Sequence, residues 1–160
     1  MTDDPETPDA FPPDFAALVR QAAEDDRRDA ALLTENKTIL LDHLATTPIA
    51  KVHVEFDGEG DSGQIEYTQA WTADGTVAAL PPDLVSLRLR DGLDGQKRTQ
   101  EQTLEQAIET LVYDALAQTH GGWENNEGGF GAFVFDVGAR TLRLTMNARV
   151  TETLVSRHGF

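Results

Sequence analysis

Apolar and polar positions recur with two different periods along this chain, and the switches between them mark out its elements. Phe15, Leu18, Val19, Ala22 and Ala23 fall at i, i+3, i+4, i+7 and i+8, a helical stripe. Charges of alternating sign over 24–29 interrupt it, and it resumes at Leu33, Leu40, Leu41 and Leu44. The pattern predicts either one long helix over 14–45, capped by Asp14, or two pieces that break near Thr34. Thr46, Thr47 and Pro48 stop it.

The period then drops to two. Val52, Val54 and Phe56 alternate with Lys51, His53 and Glu55, and Ile65, Tyr67 and Trp71 share one face of the next run, with Gln69 breaking the pattern. Two such runs around a Gly-rich turn predict a hairpin. Asp74-Gly75 marks another tight turn before a short segment at 76–80, and Val85, Leu87 and Leu89 alternate again over 84–90. Residues 91–97 read as a loop. A second helix is predicted over 100–119, with Thr99 and Gln102 as its capping box and Gly121-Gly122 as its stop. Its stripe is Leu104, Ala107, Ile108, Leu111, Val112, Ala115 and Leu116. A last hairpin pairs 132–137 with 141–148 around Gly138, setting Phe133, Phe135 and Val137 against Leu142, Leu144 and Met146. The segment from Val150 onward adds a strand or a short helix.

The order α-β-β-β-α-β-β with short connections predicts an α+β fold: an antiparallel, hairpin-rich sheet of about five strands with two helices packed on one face. Residues 1–13, with four acids and four prolines, read as a disordered acidic arm, and 14–160 as a single domain. The first part follows the helix–three strands–helix order of double-stranded RNA-binding domains, and the whole is similar to cystatin-like sheets wrapped on a helix. Topology alone carries no function.

Charge changes the picture more than composition does. Thirteen Lys and Arg stand against 28 Asp and Glu, a net charge of −15. Such a surface repels phosphate backbones and anionic membranes, so direct nucleic-acid binding and membrane binding are excluded as expectations. With no cysteine there is no disulfide, thiol nucleophile or cysteine-held metal. No apolar run approaches a membrane span and no signal pattern opens the chain, so the expected location is cytoplasmic. The charge is uneven. Residues 1–30 carry nine acids and three bases, 51–70 five acids and one base, and 137–160 four Arg and one Glu.

Two loops concentrate the candidate chemistry. The run Glu55-Phe56-Asp57-Gly58-Glu59-Gly60-Asp61-Ser62-Gly63-Gln64-Ile65-Glu66 alternates carboxylates with glycine. Asp57, Glu59 and Asp61 are spaced as an oxygen cage for Ca²⁺ would be, although Ser62 stands at the sixth position, where the helix–loop–helix calcium motif needs glycine. Asp57, Glu59, Asp61 and Glu66 are the binding residues of this loop, either for a divalent cation or for a partner protein. The second loop runs from His120 to Gly131 and holds five glycines with Trp123, Glu124, Asn125 and Asn126. Trp123 is either a lid on the core or an aromatic anchor, with Glu124, Asn125 and Asn126 as a recognition surface.

Together, EFDGEGDSGQIE and HGGWENNEGGFGAFVFDV resemble the signatures of an uncharacterised bacterial family, the domain of unknown function 6878. Its members tend to be encoded on plasmids and integrative elements. The resemblance spans about 35–158 and implies a mobile-element context, with no activity or catalytic residues attached. If these motifs recur through that family, 57–66 and 122–131 are its sites.

Enzyme signatures are weak. His53, Glu55 and Asp57 share one strand face and could join His120 or Glu124 in an acid–base or metal cluster, but no metalloprotease, hydrolase or nucleotide-binding motif is present. The leading expectation is a non-catalytic protein that binds another protein. In its sharper form it is an acidic DNA mimic or anti-defence factor acting on a nuclease or other DNA-binding enzyme. The alternatives are a calcium-binding module with no other cofactor, or an uncharacterised enzyme.

Overall fold

The computed structural model describes residues 13–91 and 94–160. Residues 1–12 of the expected acidic arm lie outside the described residues. The first helix, α1 (Pro13–Ala45), is continuous, about 50 Å long at the helical rise. It runs through Thr34 without a break, and the Thr34 and Thr38 hydroxyls donate to the carbonyls four residues earlier, each at 3.1 Å. Thr46 and Thr47 end it by bonding the free carbonyls of His43 and Leu44 through both amide and hydroxyl.

Seven strands follow. They are β1 (Ile49–Glu59), β2 (Ser62–Thr72), β3 (Val77–Ala78), β4 (Leu84–Arg90), β5 (Lys97–Thr103), β6 (Gly129–Asp136) and β7 (Thr141–Ala148), with α2 (Leu104–Thr119) between β5 and β6. One antiparallel sheet has the order β3-β2-β1-β6-β7, and β4 and β5 form a separate hairpin. The fold is the expected α+β class, with seven strands among the described residues where about five were expected; one addition is β5, over residues expected as loop and helix.

That strand corrects the boundary of α2. Residues 97–103 pair with β4 instead of opening the helix, and the capping box belongs to Thr103 and Gln106. Both Thr-x-x-Gln sets fit the capping pattern. The second prevails because it stands directly before Leu104, the first buried residue of the stripe, whereas 97–103 contains nothing apolar to bury.

The core lies between the helices and one face of the five-stranded sheet. Val52, Val54, Phe56, Phe133 and Phe135 meet Leu40, Leu41 and Leu44 of α1 and the full stripe of α2. The hairpin β4–β5 is fixed to α1 by Asn36, a buried polar residue whose side chain donates to Arg88 O and accepts from Arg88 N, both at 2.8 Å. Around it, Arg90 bridges Asp25 and Asp29, and Arg88 and Lys97 meet Glu35. The charges that interrupt the helical stripe thus face a basic hairpin. No strand or helix forms over 149–160.

Replacing Asn36 with Leu leaves an amide and a carbonyl of β4 without partners. Chemical denaturation should find the variant about 2–4 kcal/mol less stable, against under about 1 kcal/mol for an exposed substitution such as Lys37→Ala.

Candidate functional site

The two loops singled out by composition pack on each other. β1 and β2 are joined by a two-residue turn, Gly60 and Asp61, both left-handed at φ 58° and 65°. This is the geometry whose twist suits a hairpin. The turn docks by its backbone: Gly60 N donates to Asn126 O and Asp61 N to Glu124 O, both at 2.9 Å. The Asp61 carboxylate accepts from Asn126 N at 3.4 Å. Behind the turn, Gly58 and Gly63 stand opposite each other, and the indole of Trp123 lies over both. A Cβ on Gly58 would stand 2.7 Å from that ring, and one on Gly63 would collide with it. Trp123 also meets Phe56 edge-on, at 5.3 Å between centroids. It therefore packs on the core as a lid. Glu124 and Asn126 contribute carbonyls, and Asn125 turns back, its amide nitrogen donating to Gly122 O.

The carboxylates of the first loop diverge. Asp57 accepts from the Arg149 guanidinium at 2.9 Å, Glu59 is exposed at the strand end, Asp61 faces the Asn126 amide, and Glu66 accepts from Gln64. Among the described residues no three His, Asp or Glu side chains gather as a group that could hold a metal ion. His53 and Glu55 do meet, at 3.1 Å, whereas His120 is bonded to Thr119 at the end of α2.

The sequence pattern missed what the far face of the sheet presents. A bulge opposite Glu55 and Phe56 inserts Glu66 into β2, so Ile65 points to the core while Tyr67 and Trp71 stand on the other side. These three were expected on one face, and the break at Gln69 was the only sign to the contrary. The helices cover one face of the sheet and leave this one open. Tyr67 and Phe130 are 44% and 42% exposed there. Trp71 meets His53 edge-on across a groove of about 640 Å³ that Lys51, Val134 and Asp136 also line. A second groove, of about 390 Å³, is lined by Glu55, Asp57, Glu66, Phe130 and Asn147. Arg149 closes its end: its guanidinium sits 4.8 Å above the Phe130 ring, bonds Gly58 O at 3.1 Å and pairs with Asp57. Arg149, Phe130 and Asn147 carried no sequence signal of this role.

A match to one family model covers residues 32–160, about four-fifths of the chain, including both loops and all seven strands. The chain belongs to the DUF6878 family of unknown function. No curated protein and no solved structure matches it. In DUF6878 terms, the zipped loops, the open sheet face and Arg149 lie inside the family region, and the first 31 residues lie outside it.

Another cleft, of about 670 Å³, separates α1, α2 and β4. Its carboxylates include Asp25 and Asp29, held by Arg90, and Asp114, which makes no ion pair or hydrogen bond among the described residues. Burial, and then the neighbouring Asp29 charge, raise the Asp114 pKa above the ordinary carboxylate value.

Two outcomes follow. Gly63→Ala should cost about 1–3 kcal/mol by denaturation, through collision with the indole. In a Trp123→Ala background the same substitution should cost less, the close contact that remains being Glu124 Cβ at 2.9 Å. Asp114 binds its proton more tightly folded than unfolded, so its contribution to stability falls as pH rises from the ordinary carboxylate range through its raised folded pKa. Asp114→Asn should therefore raise the melting temperature at neutral pH, by an increment that shrinks on acidification.

Proposed function

We propose that this DUF6878 chain is a non-catalytic interaction protein of a bacterial mobile element. Its partner is a protein with a basic surface, such as a nuclease or another DNA-binding enzyme, and the open face of the five-stranded sheet grips it. One observation carries the reading: the bulge at Glu66 puts Tyr67 on solvent beside Glu55 and Glu66, on a face that no helix covers. Aromatic anchors ringed by charge are the usual energetic centre of a protein interface.

The placement of charge supports a basic partner. Glu55, Glu59 and Glu66 make no ion pair with Lys or Arg among the described residues, whereas Asp25, Asp29 and Glu35 of α1 are engaged by Arg90, Arg88 and Lys97. Carboxylates stand on both sides of the sheet. The reading in which they form one continuous phosphate-like surface therefore narrows to the β1–β2 side. There they would attract a surface that otherwise meets a nucleic-acid backbone, and mobile ions would screen the attraction.

Affinity capture from a bacterial host followed by mass spectrometry identifies the partner, and surface plasmon resonance then measures the pair. Binding should weaken steeply with salt. Tyr67→Ala should weaken it by about tenfold or more, the effect of a central aromatic anchor. Glu66→Lys should slow association, while Asp26→Lys on α1 should leave it unchanged. Binding that is indifferent to Tyr67 and Glu66 would sink the assignment of this face.

A further inference from the structure

The sheet ends on β7, an eight-residue edge strand with no neighbour beyond it among the described residues. Its defences are few. It holds no proline, its pairing with β6 runs without a register shift from Thr141 to Ala148, and its one charged side chain is Arg143. Long, regular edges of this kind offer a row of free N–H and C=O groups to another strand. Directly after β7 the chain continues as Val150-Thr-Glu-Thr-Leu-Val-Ser156, rich in β-branched residues. Val150 and Leu154 are 86% and 88% exposed, and no backbone hydrogen bond involves 150–160 among the described residues. One chain thus carries both an unpaired edge and an unpaired strand-forming segment.

We propose that the chain forms a homodimer by exchanging these parts: residues 150–156 of each copy add as a strand to the β7 edge of the other. Extended, residues 150–154 span about 17 Å, enough to lie along Thr141–Thr145 of the other copy's β7. Its own attachment works against folding back. The Arg149 amide bonds Gly128 O, and its guanidinium is held on Gly58 and Asp57, so the chain stays bound on the β6 side up to the residue before the segment begins.

Charge selects both the region and the register. Two copies of net charge −15 repel over most of their surfaces, and residues 137–160, with four Arg and one Glu, are where that repulsion is absent. Arg140 and Arg149 are already paired with Asp42 and Asp57. Arg143 on the edge and Glu152 in the tail make no ion pair within their own copy among the described residues. Placing them opposite each other in an antiparallel pair sets Thr151 beside Leu144 and Thr153 beside Leu142 on the core side, and Val150 beside Thr145 on the open side. The exchange is reciprocal, so it closes at two copies.

The absence of cysteine makes the test direct. Arg143→Cys and Glu152→Cys chains are prepared separately, mixed and mildly oxidised, while sedimentation reports the state of the unaltered full chain. The unaltered chain should be a dimer, and the mixed chains should give chiefly the disulfide that joins one Arg143→Cys copy to one Glu152→Cys copy. Thr153→Pro removes a strand donor from a segment that is exposed throughout in its own copy. It should raise the dimer dissociation constant by about tenfold or more with the circular dichroism spectrum unchanged. A monomeric full chain overturns the proposal. So does a dimer that Thr153→Pro leaves intact, or oxidation that yields no excess of the mixed disulfide over like-with-like pairs.

Discussion

The Trp123 indole resting on the bare backbone of Gly58 and Gly63 sets the terms for the rest of the molecule. An aromatic ring packed this closely on a hairpin needs both facing residues to lack side chains, and these two glycines are directly paired. Once the ring is seated, the hairpin turn lies within hydrogen-bond reach of Glu124 and Asn126, and the two backbone bonds close the contact. Gly128 then meets the Gly58 carbonyl so closely that only glycine fits, and the strand it leads into, β6, lies alongside β1. Arg149 completes the arrangement by reaching back to Gly58 O from the end of β7. Three segments distant in sequence, 58–63, 123–128 and Arg149, are tied at one corner beside the open face.

The same corner holds the carboxylates of the acidic loop apart. A calcium site needs several oxygens to turn inward on one point. Here Arg149 occupies Asp57, Glu59 is exposed at the strand end, and the left-handed turn directs Asp61 at an amide. What the strands do present together is a flat array of Glu55, Glu66 and Tyr67 beside Phe130. Rigid elements with outward aromatic and acidic side chains suit recognition of another surface, because little conformational entropy is lost on contact.

Much of the fold was legible because periodicity is a local property. The α2 stripe, the β1 alternation and the pairing of Phe133 and Phe135 with Leu144 and Leu142 all follow from residues that must face one core. What could not be read depended on partners distant in sequence. Residues 97–103 have helix-tolerant composition and become a strand only because β4 offers an edge, itself pinned by Asn36 of α1. The two loops were visible by composition, yet the four residues from Trp123 to Asn126 turned out to serve packing and backbone docking more than display. The bulge at Glu66 was hidden by its own effect: one inserted residue reverses the face of everything beyond it, so Tyr67 and Trp71 read as core partners of Ile65.

The boundary of the family region separates the two concave surfaces in a way that bears on function. The cleft around Asp114 depends on Asp25 and Asp29 to balance Arg90, and both acids precede residue 32, where the DUF6878 match begins. A family member lacking that part of α1 would lose one wall of the cleft and leave Arg90 without its carboxylates. The open sheet face needs nothing from outside the match: its strands, its bulge, the glycine pair, Trp123 and Arg149 all fall within 32–160. A property common to the family has to be built from what the family region contains. The open face meets that condition, and the Asp114 cleft does not.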